Sequence, residues 1–262
     1  MSTPRYDFHI HTEYLKCADE TMKIKDIVKS CEALGITKLA ITDHLNNFEK
    51  ADKHFQIAED IAKLETNIDV YFGVELNYMG YDGQFAYNEE IKERIGFQFA
   101  IGGIHSLYVD EYSLEKIIDI QHMHHIKTCE NPLVSVLVHP YWLSLSVFVK
   151  NNWPVVNHIK ALPKSHIKEL AQVSRDTHTG IEINAHTLLL EGFGEDFQRY
   201  YEEYIGMLAA EGAVFSFGSD THTINTLKDI ELCFDLSKKL KLEEKQIWKP
   251  DCEPMKSQTF IQ

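Results

Sequence analysis

The feature that most constrains this chain is a repeated alternation of short apolar runs with longer amphipathic stretches. Tyr6–Ile10 is apolar-rich and of strand length, and after a polar loop Ile24, Ile27, Val28, Cys31 and Leu34 recur at helical spacing and stop at Gly35. Residues 39–42 read as a second strand and residues 51–64 as a second helix. Further strands are predicted near residues 69–74, 97–104, 135–138, 180–184 and 214–217, with helices over 113–129, 167–175, 197–211 and 227–240. About seven strands, most followed by a helix, require parallel pairing through right-handed crossovers. The fold class is therefore α/β, and about seven such units can close into a distorted (β/α)7 barrel. A doubly wound open sheet has the same periodicity. In both architectures ligands gather at the carboxyl ends of the strands, so the polar residues there carry the functional information. At 262 residues the chain fits one domain, residues 1–262, with the patternless stretch 141–164 read as a loop insertion over the site.

The strand ends are unusual. The first closes on His9-Ile10-His11, and because side chains two apart in a strand share a face, both imidazoles can grip one ion. The second ends Thr42-Asp43-His44, the third at Glu75, the fourth at His105, the fifth at His139, and the last at Asp220-Thr221-His222. Singly, each could be a satisfied buried histidine or a capping carboxylate. Their recurrence at equivalent points of successive units instead points to a metal centre, since imidazole and carboxylate are the ligands of zinc, manganese and iron. His54, His122, His124, His125, His158, His166 and His178 fall on helices or in irregular stretches and read as structural.

This series resembles the PHP (polymerase and histidinol phosphatase) family, whose pattern runs His-x-His, Thr-Asp-His, a Glu, two single histidines and a late Asp-x-His. The resemblance spans His9 to His222. It implies a distorted seven-stranded β/α barrel holding about two to three divalent ions (Zn, Mn or Fe). By the same resemblance His9, His11, Glu75 and Asp220 bind one metal, and Glu75, His105 and His139 bind a second. His44 and His222 hold a third, together with a histidine or aspartate of the loop after the first strand. Asp19 is the candidate for that place, with the adjacent Glu20 as the alternative; either carboxylate could equally cap the helix that follows. Asp220 is expected to orient the attacking water as well as ligate, and His222 is a candidate to protonate the leaving group. Arg175 and Asn184, flanking the sixth strand, are candidates for phosphate contact, the alternative for Arg175 being a solvated helix-end cation. That strand shows no obvious ligand.

Charge narrows the substrate. With 40 acidic against 26 basic side chains the net charge is −14, so the mean field repels nucleic acid, while a small phosphorylated metabolite can still approach bound cations. Five cysteines without a Cys-x-x-Cys pair read as reduced thiols. The first residues lack an apolar signal run, and no segment approaches the roughly 20 apolar residues of a membrane span, so a cytoplasmic protein is expected. Oligomeric state is left open. The resulting expectation is a metal-dependent phosphoesterase cleaving a small-molecule phosphate monoester, with L-histidinol phosphate the named candidate. A nucleotide phosphodiesterase or exonuclease and an amidohydrolase-like C–N hydrolase are the alternatives.

Overall fold

A computed structural model describes residues 4–79, 84–189, 192–194 and 196–256. Its strands are β1 (Tyr6–Ile10), β2 (Lys38–Ile41), β3 (His44–Leu45), β4 (Asp69–Asn77), β5 (Phe99–Gly103), β6 (Val136–Leu137), β7 (Gly180–Asn184) and β8 (Phe215–Gly218). All pair in parallel, in the order β1-β2-β4-β5-β6-β7-β8, with the two-residue β3 extending β2 along β4. The ring comes round on itself. Asp220 N–H donates to the His9 carbonyl at 2.8 Å and His11 N–H to the Thr221 carbonyl at 3.3 Å, which brings the end of β8 against β1. That return distinguishes a nearly closed (β/α)7 barrel from the open sheet of the same periodicity.

Helices cover the outside, which is why the strands read as continuous apolar runs rather than as alternating ones. In α1 (Ile24–Ala33), Ile24, Ile27, Val28 and Cys31 form the buried stripe. The others are α2 (His54–Ala62), α3 (Glu89–Ile95), α4 (Leu114–Glu130), α5 (Leu145–Lys150), α6 (Lys164–Thr177), α7 (Ala185–Leu188), α8 (Phe197–Ala210) and α9 (Glu231–Leu240). The helix predicted over 51–64 opens as a 3-10 segment, as does that over 227–240. The patternless stretch 141–164 contains α5 and a 3-10 turn. No helix among the described residues is long and apolar enough to cross a membrane.

Inside the ring, Phe8, Ala40, Tyr71, Phe99, Ile101, Val136 and Val138 pack together, with Trp248 against them. The Trp248 ring meets Phe8 edge-on at 5.4 Å and Phe99 at 5.2 Å, plugging the end where the strands begin. Strict alternation would send Phe8 and His9 to opposite faces. The register of β1 against β2 shifts between Asp7 and Ile10, and this bulge lets Phe8 join the plug while the His9 ring also turns into the barrel. The Asp7 carboxylate stabilises the irregularity by accepting from His9 N at 3.3 Å and Ser219 N at 2.9 Å.

Several of the histidines read as structural secure the turn after β6. His139 and Tyr141 both have positive φ, 30° and 59°, a conformation that must be held from outside. Tyr141 N–H donates to His125 Nε2 at 3.1 Å, His158 Nε2–H donates to the Tyr141 carbonyl at 2.8 Å, and the Tyr141 hydroxyl meets His122 Nδ1 at 3.0 Å. Burial lowers the pKa of His158 from 6.5 to about 4, against the opposing pull of its carbonyl partners. The folded state thus excludes a proton that the unfolded chain takes up below about pH 6.5. Stability from this group is present above that pH and lost as pH falls through about 4, amounting to about 3 kcal/mol at most. Urea unfolding of the metal-free protein between pH 7 and pH 4 is expected to show a shallower pH dependence for His158→Gln than for the wild type. Parallel curves would contradict it.

Candidate metal centre

Glu75, near the carboxyl end of β4, is fully buried. Its Oε1 lies 3.0 Å from His139 Nε2 and 3.3 Å from His105 Nε2; its Oε2 lies 2.6 Å from His44 Nδ1 and 3.5 Å from both His9 Nε2 and His11 Nε2. Five imidazoles from four strand ends or the loops beyond them therefore surround one carboxylate. Asp220 Oδ1 completes the near side, 3.3 Å from His11 Nε2 and 3.5 Å from His9 Nε2. Asp220 sits at φ 54° immediately past β8. Floor and mouth differ in exposure: His9 and His11 are buried, whereas His44, His105 and His222 are 20%, 24% and 40% exposed.

The donor set fits a cation better than it fits itself. Despite the 2.6 Å approach, neither His44 Nδ1 nor Glu75 Oε2 makes a hydrogen bond of acceptable geometry. Buried polar atoms are rarely left so. His9 Nε2 and His11 Nε2 converge to 3.0 Å, an approach that two bare lone pairs do not tolerate. Three groups of donor atoms fall within 4.8 Å of one another: His9, His11 and Asp220; His44, Glu75 and His105; and His11, Cys17, His44 and His222.

Electrostatics agree. Burial opposes charge on His9, but Glu182, Asp220 and Glu75 outweigh it and hold its pKa well above the usual value. Burial likewise opposes ionisation of Glu75, and His44, His9 and His105 reverse that, holding its carboxyl well below the usual range. Asp220 is held low against burial by His9 and His11. Without metal, protons on the imidazoles balance the carboxylates, and ligation must displace them. Burial, assisted by His11, lowers His222 to about 4. With its Nδ1 at 3.0 Å from the Asp220 carbonyl, a neutral His222 donates there and keeps a lone pair on Nε2. That tautomer suits a ligand and has no proton for a leaving group.

Not every residue singled out from the sequence faces the centre. Arg175 is exposed at the end of α6, where its guanidinium donates to the Glu211 carbonyl at 2.6 Å. It stands where β7 and β8 begin, at the opposite end of the barrel, and is corrected to a solvated helix-end cation. Asn184 does reach the centre, but it is fully buried. Its Nδ2 donates to Glu182 at 3.0 Å and to Asp220 at 3.3 Å, and its Oδ1 accepts from Thr187 N at 2.7 Å. With both ends of its amide engaged, it orients Asp220 instead of touching phosphate. Asp19 is exposed, and its carboxylate accepts from Thr21 N at 2.9 Å and from the Thr21 hydroxyl; α1 begins only at Ile24 and has no side-chain cap, so Asp19 does not cap it, and Asp19 is not among the grouped donor atoms either.

Two contributors went unnoticed. Glu182, on the strand read as lacking a ligand, is buried; its Oε1 accepts from His9 Nδ1 at 2.7 Å and its Oε2 from His139 N at 2.7 Å. A carboxylate behind an imidazole fixes the ring with its other nitrogen toward the centre. The signal was a charge inside Gly180-Ile181-Glu182-Ile183-Asn184, on the same face as Asn184. Cys17 is the second. Of Thr42-Asp43-His44, Asp43 serves the scaffold, accepting from Thr12 N at 2.6 Å and from the Thr12 hydroxyl.

A probable phosphatase of Proteus mirabilis is 21% identical over 98% of this chain and 93% of its own length. One of Acetivibrio thermocellus is 23% identical over 82% and 78%. The structure of a histidinol phosphate phosphatase from Lactococcus lactis, complexed with zinc, L-histidinol and phosphate, superimposes with a TM-score of 0.61 at 15% identity, over 92% of this chain and 95% of that one. The family model of the PHP domain matches residues 7–186, stopping short of Asp220 and His222, which the ring nevertheless returns to the same rim. With its fold, its histidine-tipped strands and a family match over more than half its length, the chain belongs to the PHP domain family.

Proposed function

We propose that this chain is a metal-dependent hydrolase of small-molecule phosphate monoesters, acting as one unit from β1 to β8, with residues 1–262 forming a single PHP-type domain. The observation that carries the reading is Glu75: one buried carboxylate whose two oxygens face different histidines, as a group shared between cations must. His9, His11, Glu75 and Asp220 would hold one divalent ion; Glu75, His105 and His139 a second; His44 and His222 contribute to a third. When bound, such ions supply an acidified water and positive charge for the phosphoryl oxygens.

The protein's own groups do the positioning. Glu182 orients His9 and the His139 backbone, and Asn184 steadies Asp220 through its Oδ2; Asp220 would orient the attacking water as well as ligate. Trp142, with its ring 6.0 Å from His105 and 5.9 Å from His139, forms one wall beside the mouth. The exposed edges of His44, His105 and His222 leave that mouth open to a small substrate. The phosphatase names of the Proteus and Acetivibrio relatives support this class, and the ligands of the Lactococcus neighbour place L-histidinol phosphate first among compounds to assay.

The test is a panel of phosphorylated metabolites, nucleotides and cyclic amides presented to zinc- and manganese-loaded protein, with p-nitrophenyl phosphate as reporter. Phosphate release abolished by chelation and restored by metal is expected. Turnover of amides or phosphodiesters in preference to monoesters would replace the proposal.

A further inference from the structure

The residue completing the third group of donors is a cysteine. The loop after β1 makes a 3-10 turn over Glu13–Leu15, and Lys16, at φ 61°, ends it so that Cys17 faces back toward the barrel. The Cys17 Sγ stands 3.9 Å from His11 Nδ1, and one donor atom each from His11, Cys17, His44 and His222 lie within 4.8 Å of one another. The rings of His44 and His222 flank His11 at 4.5 Å and 4.3 Å.

The loop is fastened in this position by groups other than the thiol. Asp19 N–H donates to the His222 carbonyl at 2.9 Å, tying the loop to the segment that carries His222, and Ile224 N–H donates to the Thr21 hydroxyl at 3.1 Å. Asp19 spends its carboxylate on Thr21. Among the side chains of this loop, the sulfur is the one left to face His44 and His222.

From this geometry we infer that Cys17, as thiolate, joins His44 and His222 in binding the third cation, in the place where the family resemblance leads one to expect a histidine or an aspartate. The inference rests on the metal reading above and adds a chemical difference between sites. The positions built around Glu75 offer only imidazole and carboxylate, ligands that manganese accepts as well as zinc. A site with one thiolate and two imidazoles is softer and selects zinc, cobalt or ferrous iron over manganese and magnesium. Cys17 is solvent-accessible, whereas Cys31, Cys129 and Cys233 are buried, so oxidation should empty this site first.

Cobalt reconstitution of the full chain tests it, with absorption spectroscopy, metal analysis and thiol titration as readouts. The wild type and Cys252→Ser are expected to show a near-ultraviolet sulfur-to-cobalt charge-transfer band. Cys17→Ser should lose the band and about one metal equivalent, while Cys17→His should recover the equivalent without the band. Metal should also slow the reaction of Cys17 with a thiol reagent by at least about tenfold, as ligation withdraws the thiolate. Circular dichroism of both Cys17 variants checks that they are folded. Full cobalt loading without the band, and thiol reactivity indifferent to metal, overturns the assignment of Cys17 alone. A wild-type protein that takes up no metal overturns it together with the phosphatase reading.

Discussion

Glu75→Ala is expected to leave the purified protein short of more than one metal equivalent and to lower kcat/KM for a phosphate monoester by about 10³-fold, or about 4 kcal/mol of barrier. The size of the effect follows from where the charge sits. Glu75 is fully buried, and within 3.5 Å its two oxygens meet His9, His11, His44, His105 and His139. Removing it takes a ligand from two cation positions at once and leaves the imidazoles without the carboxylate that balances them. Glu75→Gln keeps the volume and loses the charge, so it should share most of the defect if charge is the cause, and little of it if packing is. Metal analysis on both variants decides. Full metal content in Glu75→Ala would contradict the bridging role.

A second large effect is expected from Gly218→Ala at the end of β8. A methyl group there would overlap the Glu182 carboxylate and stand 2.6 Å from His9 Cβ. Glu182 cannot yield without releasing both His9 Nδ1 and the His139 backbone N–H, and the β1 bulge leaves His9 little freedom to move. Overpacking of this kind costs about 1–3 kcal/mol of stability. Displacing an oriented group by about 1 Å can cost on the order of 10²-fold in rate, so a comparable fall in kcat/KM is expected. Gly206→Ala is the control: on α8 the added carbon would meet only Leu240 Cδ2, at 3.4 Å. It should leave activity intact and stability equal or slightly raised. Thermal melts alongside kinetics separate the two glycines; equal behaviour would show that Glu182 is not held tightly against β8.

Most of the ring was legible because each of its strands is buried on both faces and writes itself as an apolar run. The tips were legible too, since His9, His11, Glu75, His105, His139 and Asp220 interrupt or end those apolar runs with imidazoles and carboxylates. What escaped was short or depended on packing. The helices α3, α5 and α7 span 7, 6 and 4 residues, too little for a helical period to show. The bulge that turns both Phe8 and His9 inward lies in the hydrogen-bond register of β1 and not in its composition. Glu182 was readable as a charge at the centre of a strand, but its task, holding His9 from behind, needed β7 beside β8 and β1 across the ring. Cys17 required the turn ending at Lys16 to be known, because the family resemblance pointed to a histidine or aspartate at this place, hence to Asp19 with Glu20 as the alternative, and not to a thiol. Arg175 misled for the opposite reason: it is close to β7 in sequence and at the far end of the barrel in space.

Crystals grown with zinc and measured at its absorption edge test most directly whether separate strand ends share cations. Anomalous peaks are expected between His9, His11, Glu75 and Asp220, and between Glu75, His105 and His139, with Glu75 reaching both. Zinc confined to the protein surface, or a zinc-free ring with these side chains paired only to one another, would contradict it.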